Sequence, residues 1–348
     1  MHKHILHVNL AKGFRGGERQ TLLLMSELAA KGFKQTLITR KNAPLAQRAL
    51  ALGLANVQVQ EIAKPYIFSL GVLKKASLVH AHETQGAQFA FLGNCLFGTP
   101  FIITRRVDNS IKKNFFTKAM YRCAVCTAVL SRAIGEGVLR VCPEAKTRVI
   151  PSAFTKLATD ETKIEELRQR FAGKFLIGNI GELDNAHKGQ CYLIEAFKDL
   201  GQKYPALHLL FLGKGKDEAL YKKMTQGAQN VSFEGFVDNV GDYLSVMDLF
   251  VFPSLHEGLG SILLDAMNAG VPIVASNAGG IPDIITHKKN GILVEPAHVE
   301  GIKQAIIALY EDRTMGAQLA GCARERVEHF SPRAMGERYE TLYGEVLE

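Results

Sequence analysis

The sequence predicts two α/β domains, each a doubly wound parallel sheet with helices on both faces. Three observations predict it. Apolar strand-like runs alternate with helical segments along nearly the whole chain, the pattern of repeated βαβ units. At 348 residues the chain is long enough for two hydrophobic cores. A hinge, Pro151 to Thr159, separates two such alternating halves. The expected division is a first domain over 1–155, a second over 156–333, and a last helix, 334–348, that crosses back to the first.

Composition narrows the class. Hydrophobic residues make up 47% and charged residues 22% of the chain, ordinary for a soluble globular protein. No apolar run reaches the length of a membrane span. MHKHILHVNL leads straight into a strand without the core of a secretory leader, so a cytoplasmic location is expected. Cys123 and Cys126 form a lone Cys-x-x-Cys that runs into an apolar strand, which reads as buried reduced thiols rather than a zinc or redox pair. The net charge of +8 is unevenly spread. Residues 1–170 carry 26 Lys and Arg against 11 Asp and Glu, and residues 171–348 carry 16 against 23. A basic first half points to an anionic partner: a phospholipid surface, a phosphorylated acceptor or nucleic acid. Nucleic acid ranks last, because no binding motif appears and the aromatics are not interleaved with the cations.

In the first half, strand His4 to Leu10 enters a loop, Lys12-Gly13-Phe14-Arg15-Gly16-Gly17, and then a helix from about Glu18 to Lys31. Strand, Gly-rich loop and helix form the unit that cradles phosphates. The loop is not GxGxxG, and no acid ends the next strand (LITRKN), which argues against a dinucleotide. Further strands are expected at Lys34 to Thr39, Val57 to Ile62, Leu78 to Ala81, Phe101 to Thr104, Val125 to Leu130 and Arg148 to Ile150. Helices are expected at Leu45 to Leu52, Ser69 to Lys75, Gly86 to Leu96, Lys112 to Arg122 and Arg132 to Val141. Ligands of such sheets sit at the carboxyl ends of strands. Polar groups there are the Gly-Gly loop, His82-Glu83-Thr84, and Thr104-Arg105-Arg106-Val107-Asp108-Asn109. His82 suits a sugar hydrogen bond or acid–base role, and His80 is expected to point the other way, into packing. Arg105 and Arg106 suit a phosphate or carboxylate on an acceptor. The helix Ile111 to Arg122 mixes Lys112, Lys113, Lys118 and Arg122 with Phe115 and Phe116. It reads as a membrane-facing helix or, preferred here, one whose aromatics enter the core.

In the second half, a polar helix (Asp160 to Phe171) precedes strand Phe175 to Ile180, then Gly181, Lys188-Gly189 and a helix from about Gln190. LHLLFL ends at Gly213-Lys214-Gly215, a close-approach loop. Leu249 to Phe252 reads as a buried strand, followed by the turn His256-Glu257-Gly258-Leu259-Gly260 and a helix from Ser261 to Ala269. Orphan amides at that helix start favour a phosphate. Two acids flank the spot, Glu257 and Asp265, and carboxylates suit sugar hydroxyls. Strands Pro272 to Ala275 and Gly291 to Val294 bracket the Gly279-Gly280 turn. Helices follow at His298 to Glu311, Thr314 to Phe330 and Ala334 to Leu347.

The stretch FVFPSLHEGLGSILLDAMNAGVP, with GVPIVASNAGGIPDII and NGILVEP after it, resembles the donor-site motif of retaining GT-B glycosyltransferases of family 4. The resemblance extends over nearly the whole chain and is most specific from Phe233 to Pro296. It implies a GT-B fold, two Rossmann-like domains facing a cleft. Glu257 then touches the donor sugar, the amides of Gly258, Leu259, Gly260, Ser261 and Ile262 hold the diphosphate, and Asp265 binds the ribose. Lys188 neutralises the diphosphate, Gly16 and Gly17 pack against it with Arg15 beside them, Gly213 lies above the donor, and Phe236 and Val237 face the base. Catalysis falls to Glu257, Lys188 and His82, and acceptor binding to Arg15, Arg105 and Arg106. The sequence departs from the family at Asp265, where Glu is usual, at Glu182, where Arg is usual, and at VIPSAFT, where Val-Ile-Pro-Asn-Gly is common. His187, Arg15 or Arg105 is the candidate for the missing cation.

The reaction implied is sugar transfer from a nucleotide-diphosphate sugar, the co-substrate, to a hydroxyl of a glycan or glycolipid in envelope polysaccharide or lipopolysaccharide synthesis. No cofactor and no metal are expected, and no Asp-x-Asp motif is present. An anionic inner-membrane surface is a candidate partner. Two other readings stay open: another GT-B enzyme, such as a sugar-nucleotide epimerase or phosphorylase, or a non-catalytic sugar- or lipid-binding protein of the same fold.

Overall fold

The computed structural model describes residues 4–348, and Met1 to Lys3 at the start of the first expected domain lie outside them. The chain divides into two compact units. One runs through Ala153 and takes in Phe330–Glu348, and the other is Phe154–His329.

The first unit is built on strands β1 (His4–Asn9), β2 (Lys34–Arg40), β3 (Val57–Ile62), β4 (Leu78–Ala81), β5 (Phe101–Arg105), β6 (Cys126–Val129) and β7 (Thr147–Val149). They pair in parallel in the order β3-β2-β1-β4-β5-β6-β7. The chain leaves β1 toward one side and returns to its other side at β4, so the order reverses between them. The loops after these two strands therefore part and leave a crevice at their carboxyl ends. Ile5, Leu6 and Val8 of β1 are buried, as a strand covered by helices on both faces requires. Pro332–Leu347 packs against the helix Gly16–Ala30 and inserts Met335, Tyr339, Leu342 and Tyr343 into this core. Ser331 caps it by accepting the Ala334 amide at 3.2 Å.

The second unit holds β8 (Phe175–Ile180), β9 (Leu207–Leu212), β10 (Val231–Gly235), β11 (Leu249–Phe252), β12 (Ile273–Ser276) and β13 (Ile292–Val294), parallel in the order β10-β9-β8-β11-β12-β13. Its reversal falls between β8 and β11. Every residue of β8, β9, β11 and β12 is buried, which is why these strands read as unbroken apolar runs.

Several expectations are corrected. The first helix starts at Gly16, two residues before Glu18, because the Glu18 carboxylate accepts the Arg15 amide at 2.8 Å and closes the first turn. Tyr66–Lys75 is 3₁₀ rather than α-helical. The basic aromatic helix spans Phe115–Cys123, its start set by Asn114, whose side chain accepts the Thr117 amide. Its leading aromatics are not in the core: Phe115 is 82% exposed, and Phe116, 38% exposed, touches the edge of Phe91. Cys126 is buried as expected, but Cys123, Cys95 and Cys322 are exposed. His80 faces the same side as His82, since alternate strand residues share a face.

The Tyr343 hydroxyl lies 2.6 Å from His80 Nδ1 in a fully buried setting. Tyr343→Phe leaves that nitrogen without its partner and is expected to destabilise by about 1–2 kcal/mol. Tyr343→Ala also leaves a cavity and is expected to cost about 3–5 kcal/mol. Urea unfolding followed by circular dichroism should rank the three proteins in that order; a Phe variant as stable as the parent would show the hydroxyl to be idle.

Candidate active site

The second unit's switch point gathers three loops. The loop after β8 carries Lys188, the one after β11 carries Glu257, and the one after β12 carries Gly279 and Gly280. Lys188 Nζ lies 2.5 Å from Glu257 Oε2, with the two side chains 25% and 16% exposed, and 5.3 Å from the Phe252 ring centre. The pair thus sits partly sheltered, where its charges are less screened than on open surface.

The backbone holds this pair in place. His187 carbonyl accepts the amides of Leu255 and His256 at 2.9 and 3.2 Å. Gly189, at φ +62°, separates a short helix (Asn185–Lys188) from the long one (Gln190–Lys203), and a Cβ there would meet Pro253 O at 2.3 Å. Glu257 carbonyl accepts the Gly280 amide at 2.9 Å, and a Cβ on Gly279, at φ +54°, would lie 2.0 Å from that same carbonyl oxygen. Only glycine fits either position. The helix Ser261–Ala269 follows, with Gly260 as N-cap and no side-chain cap, so its first amides lack intrahelical partners. Leu259 drives its side chain into the core at 2% exposure, which fixes the turn beneath these amides.

The other expected donor residues are placed as follows. Asp265 Oδ1 accepts the Thr155 amide at 2.7 Å, tying the hinge segment to this helix. Gly213 approaches Gly181: a Cβ there would lie 1.8 Å from Gly181 O, so this glycine brings two loops together. Phe236 is 73% exposed and Val237 half-buried at the end of β10, open to a planar ligand. Glu182 is exposed, and the nearby cation Lys216 pairs with Asp184 at 3.1 Å.

At the first unit's switch point, Gly16 and Arg15 are exposed and Gly17 half-buried. Glu83 caps the helix Thr84–Phe97 and also accepts the Leu10 amide at 3.1 Å, joining the ends of β1 and β4. Arg105 donates to Asn109 and Tyr121. His82 is 2% exposed and both its nitrogens are engaged, Nε2 with His7 Nδ1 at 2.9 Å and Nδ1 with an Arg106 nitrogen at 3.4 Å. Sequence reasoning missed His7, although its alternation with Ile5 and Asn9 was visible. Ligand atoms of His7, His80 and His82 lie within 4.8 Å of one another. His80 bonds Tyr343 and Thr104, and His7 bonds Gln35 at 3.0 Å, so the rings form a hydrogen-bonded cluster.

The chain is similar to several known proteins. Residues 174–312 match the family model described as Glycosyl transferases group 1. The chain is 26% identical over 339 residues to the lipopolysaccharide core biosynthesis glycosyltransferase LpsE of Rhizobium meliloti, covering 93% of this chain and 94% of LpsE. It is 29% identical over 201 residues to the capsular polysaccharide biosynthesis glycosyltransferase CapM of Staphylococcus aureus, covering 56% of this chain and 52% of CapM. The chain thus spans about half the length of CapM, and 42% of the N-acetyl-alpha-D-glucosaminyl L-malate synthase of Bacillus anthracis. Anabaena Alr3699/HepE in complex with UDP and glucose superposes with a TM-score of 0.84 at 19% identity, covering 99% of this chain and 100% of that one. A glycosyltransferase from Rickettsia africae gives 0.86 at 18% identity, covering 99% of both chains. The fold is GT-B. Lys188, Gly213, Phe236, Val237, Glu257 to Ser261 and Asp265 all fall inside the matched segment.

Gly279→Ala puts a side chain where the Glu257 carbonyl stands. It is expected to destabilise the second unit by about 1–3 kcal/mol through strain alone, read from urea unfolding. No change would mean that the turn yields freely and does not fix Glu257.

Burial, the largest cause, holds His7 down to about 4 and His80 and His82 well below the usual histidine range, with neighbouring rings and, for the last two, Arg106 adding to it. The folded state therefore favours neutral rings, while the unfolded chain takes up protons near pH 6.5. Their contribution to stability is fully present above that pH and is lost as pH falls below it, for His7 down to about 4. Between about pH 6 and 5 the loss is expected to approach 1.4 kcal/mol per pH unit for each ring that stays neutral. His7→Gln should flatten the urea-midpoint profile over that range; an unchanged slope would contradict the assignment.

Proposed function

We propose that the protein is a retaining glycosyltransferase that moves a sugar from a nucleotide-diphosphate donor to a hydroxyl of a glycan or glycolipid, in cell-envelope polysaccharide or lipopolysaccharide synthesis. The observation that carries this reading is the Lys188–Glu257 pair beside the uncapped start of Ser261–Ala269, inside the matched segment. The amides of Leu259 to Ile262 and Lys188 face the developing charge of the leaving diphosphate. An ammonium has three donors, so Lys188 can keep Glu257 and still reach a phosphate oxygen. Glu257 then orients the sugar hydroxyls. The acceptor oxygen attacks the anomeric carbon on the face from which the diphosphate departs. The glycosidic C–O bond forms as the bond to the β-phosphate oxygen breaks, and the acceptor proton passes to that phosphate. Configuration is retained, with lysine and amides supplying the charge that a metal would otherwise supply and no cofactor taking part. Asp265 binds the ribose and Phe236 the base, and the UDP in the Alr3699/HepE complex makes uridine the first base to test. Arg15, Arg105 and Arg106 serve the acceptor.

The location we propose is the cytoplasmic face of the membrane. No helix among the described residues is long and apolar enough to cross a membrane. Phe68, 86% exposed, and Phe115 follow the carboxyl ends of β3 and β5 in one sheet, and Lys112, Lys113, Lys118 and Arg122 are exposed beside Phe115. Exposed rings among cations suit an anionic lipid surface.

A thermal-shift panel with UDP, GDP, ADP and NAD tests the donor site. One nucleoside diphosphate at about 100 times its dissociation constant should add about 2.7 kcal/mol. Lys188→Ala and Asp265→Ala should weaken that shift, and Glu257→Ala should abolish transfer and donor hydrolysis while weakening the diphosphate less. A shift with NAD alone would sink the reading. Donor binding without turnover for any acceptor or water would favour the non-catalytic alternative.

Flotation with anionic and neutral liposomes tests the membrane face. Binding to the anionic vesicles should fall by about tenfold in a Phe68→Ser, Phe115→Ser variant, given the apolar area removed. Equal or absent binding to both vesicle types would count against it.

A further inference from the structure

Arg106 is an unusual cation. Among the described residues it has no carboxylate within 4.0 Å and one hydrogen-bond partner, His82, while its buried Nε has none. Its stem lies against the helix start: a Cβ on Gly17 would meet Arg106 Cδ at 3.4 Å. Burial pulls its pKa down, and Glu18 acts on it electrostatically without contact. A sheltered guanidinium that lacks an acid is costly unless something else meets its charge.

The bonds behind it run one way. Gln35 Nε2 donates to the Met25 carbonyl at 3.0 Å, which leaves Gln35 Oε1 facing His7 Nε2. His7 Nε2 therefore carries the proton and donates, and His7 Nδ1 accepts from His82 Nε2. His82 Nδ1 is then an acceptor, as it must be opposite an arginine, which only donates. The two ends of the chain, a donor-only guanidinium and an acceptor-only carbonyl, dictate the same tautomer for both rings. Other charged or titratable groups facing the cluster are His4, His80, Tyr339, Tyr343 and Glu18.

We propose that His7 and His82 are positioning residues which, with Gln35, hold Arg106 against the start of the helix Gly16–Ala30 to receive an anionic group, a phosphate or carboxylate, of a substrate. The inference rests on the reading of Arg106 as a substrate-binding residue. The anion comes from the donor diphosphate or from the acceptor.

Nitrogen NMR of the histidines in the full chain at about pH 7.5 should show both His7 and His82 protonated at Nε2 and bare at Nδ1, because that pH lies above their titration. An Nδ1–H tautomer or a charged ring at either position overturns the proposal. Sulfate, which does not titrate in this range, is the anion probe, measured by calorimetry at low salt and below the melting temperature of every variant. His7→Gln keeps a donor on one side and an acceptor on the other and should bind within about twofold of the parent, whereas His7→Leu breaks the chain and should bind about tenfold more weakly. Arg106→Gln should lose binding. Equal affinity for the His7→Gln and His7→Leu variants, or no sulfate binding by the parent, overturns it. If His7→Leu does not fold, the tautomers and the His82→Asn variant, expected to weaken sulfate, decide instead. Competition between UDP and sulfate assigns the anion to the donor, and independent binding assigns it to the acceptor. Failure of the glycosyltransferase reading shows separately, as no response to any nucleoside diphosphate while sulfate binding and tautomers stand.

Discussion

A parallel sheet delivers the carboxyl ends of all its strands to one edge, and where the strand order reverses, the following loops diverge. The candidate site of each unit depends on that constraint. Lys188 and Glu257 are 69 residues apart in sequence, yet β8 and β11 are neighbours at the reversal, so the loops after them meet. The meeting is close enough that backbone touches backbone. Gly189 passes against Pro253, and Gly279 against the Glu257 carbonyl. These contacts fix Glu257 by its main chain, leaving the carboxylate to Lys188 and to a ligand. Placement of this kind is rigid, because no torsion of the backbone there is free to drift.

The electrostatics of the second unit follow from the same packing. An acid beside the proposed anion site looks self-defeating. The Lys188–Glu257 pair removes the conflict, since the carboxylate's charge is matched before any ligand arrives, and the helix amides still present their positive ends. Asp265 is likewise occupied, holding the Thr155 amide. Its carboxylate links the hinge segment to the helix Ser261–Ala269.

Much of this was legible in the sequence, for identifiable reasons. β8, β9, β11 and β12 are covered on both faces, so each is an apolar run bounded by glycine or proline, and the donor turn is local, its residues following one another in the chain. What could not be read depends on which groups meet. The Gly279-Gly280 turn looks like any loop until the Glu257 carbonyl is placed against it. Phe115 and Phe116 have the composition of core residues, and only the packing of their helix on the Phe91 side shows that Phe115 is left out. His80 was misjudged by its period: residues two apart on a strand share a face, and β1 sets His7 directly opposite His80. From that register the cluster follows, but its tautomers do not, because they are imposed by Gln35 and Arg106 from other elements.

The two units treat their buried-side cations in opposite ways. Lys188 is paired with an acid; Arg106 is paired with a neutral imidazole. A carboxylate beside Arg106 would satisfy its hydrogen bonds but cancel its charge, and an incoming anion would then meet a neutral site with a negative face. A histidine lone pair accepts the hydrogen bond and leaves the charge intact. That works only while the histidine stays neutral, and neutrality is secured chiefly by burial. Placing His80 and His82 beside His7 reinforces the effect for those two, since neighbouring rings lower their affinity for a proton. The cluster is intelligible as the means by which a sheet with no acid at that position can hold a guanidinium still and keep it available for an anion.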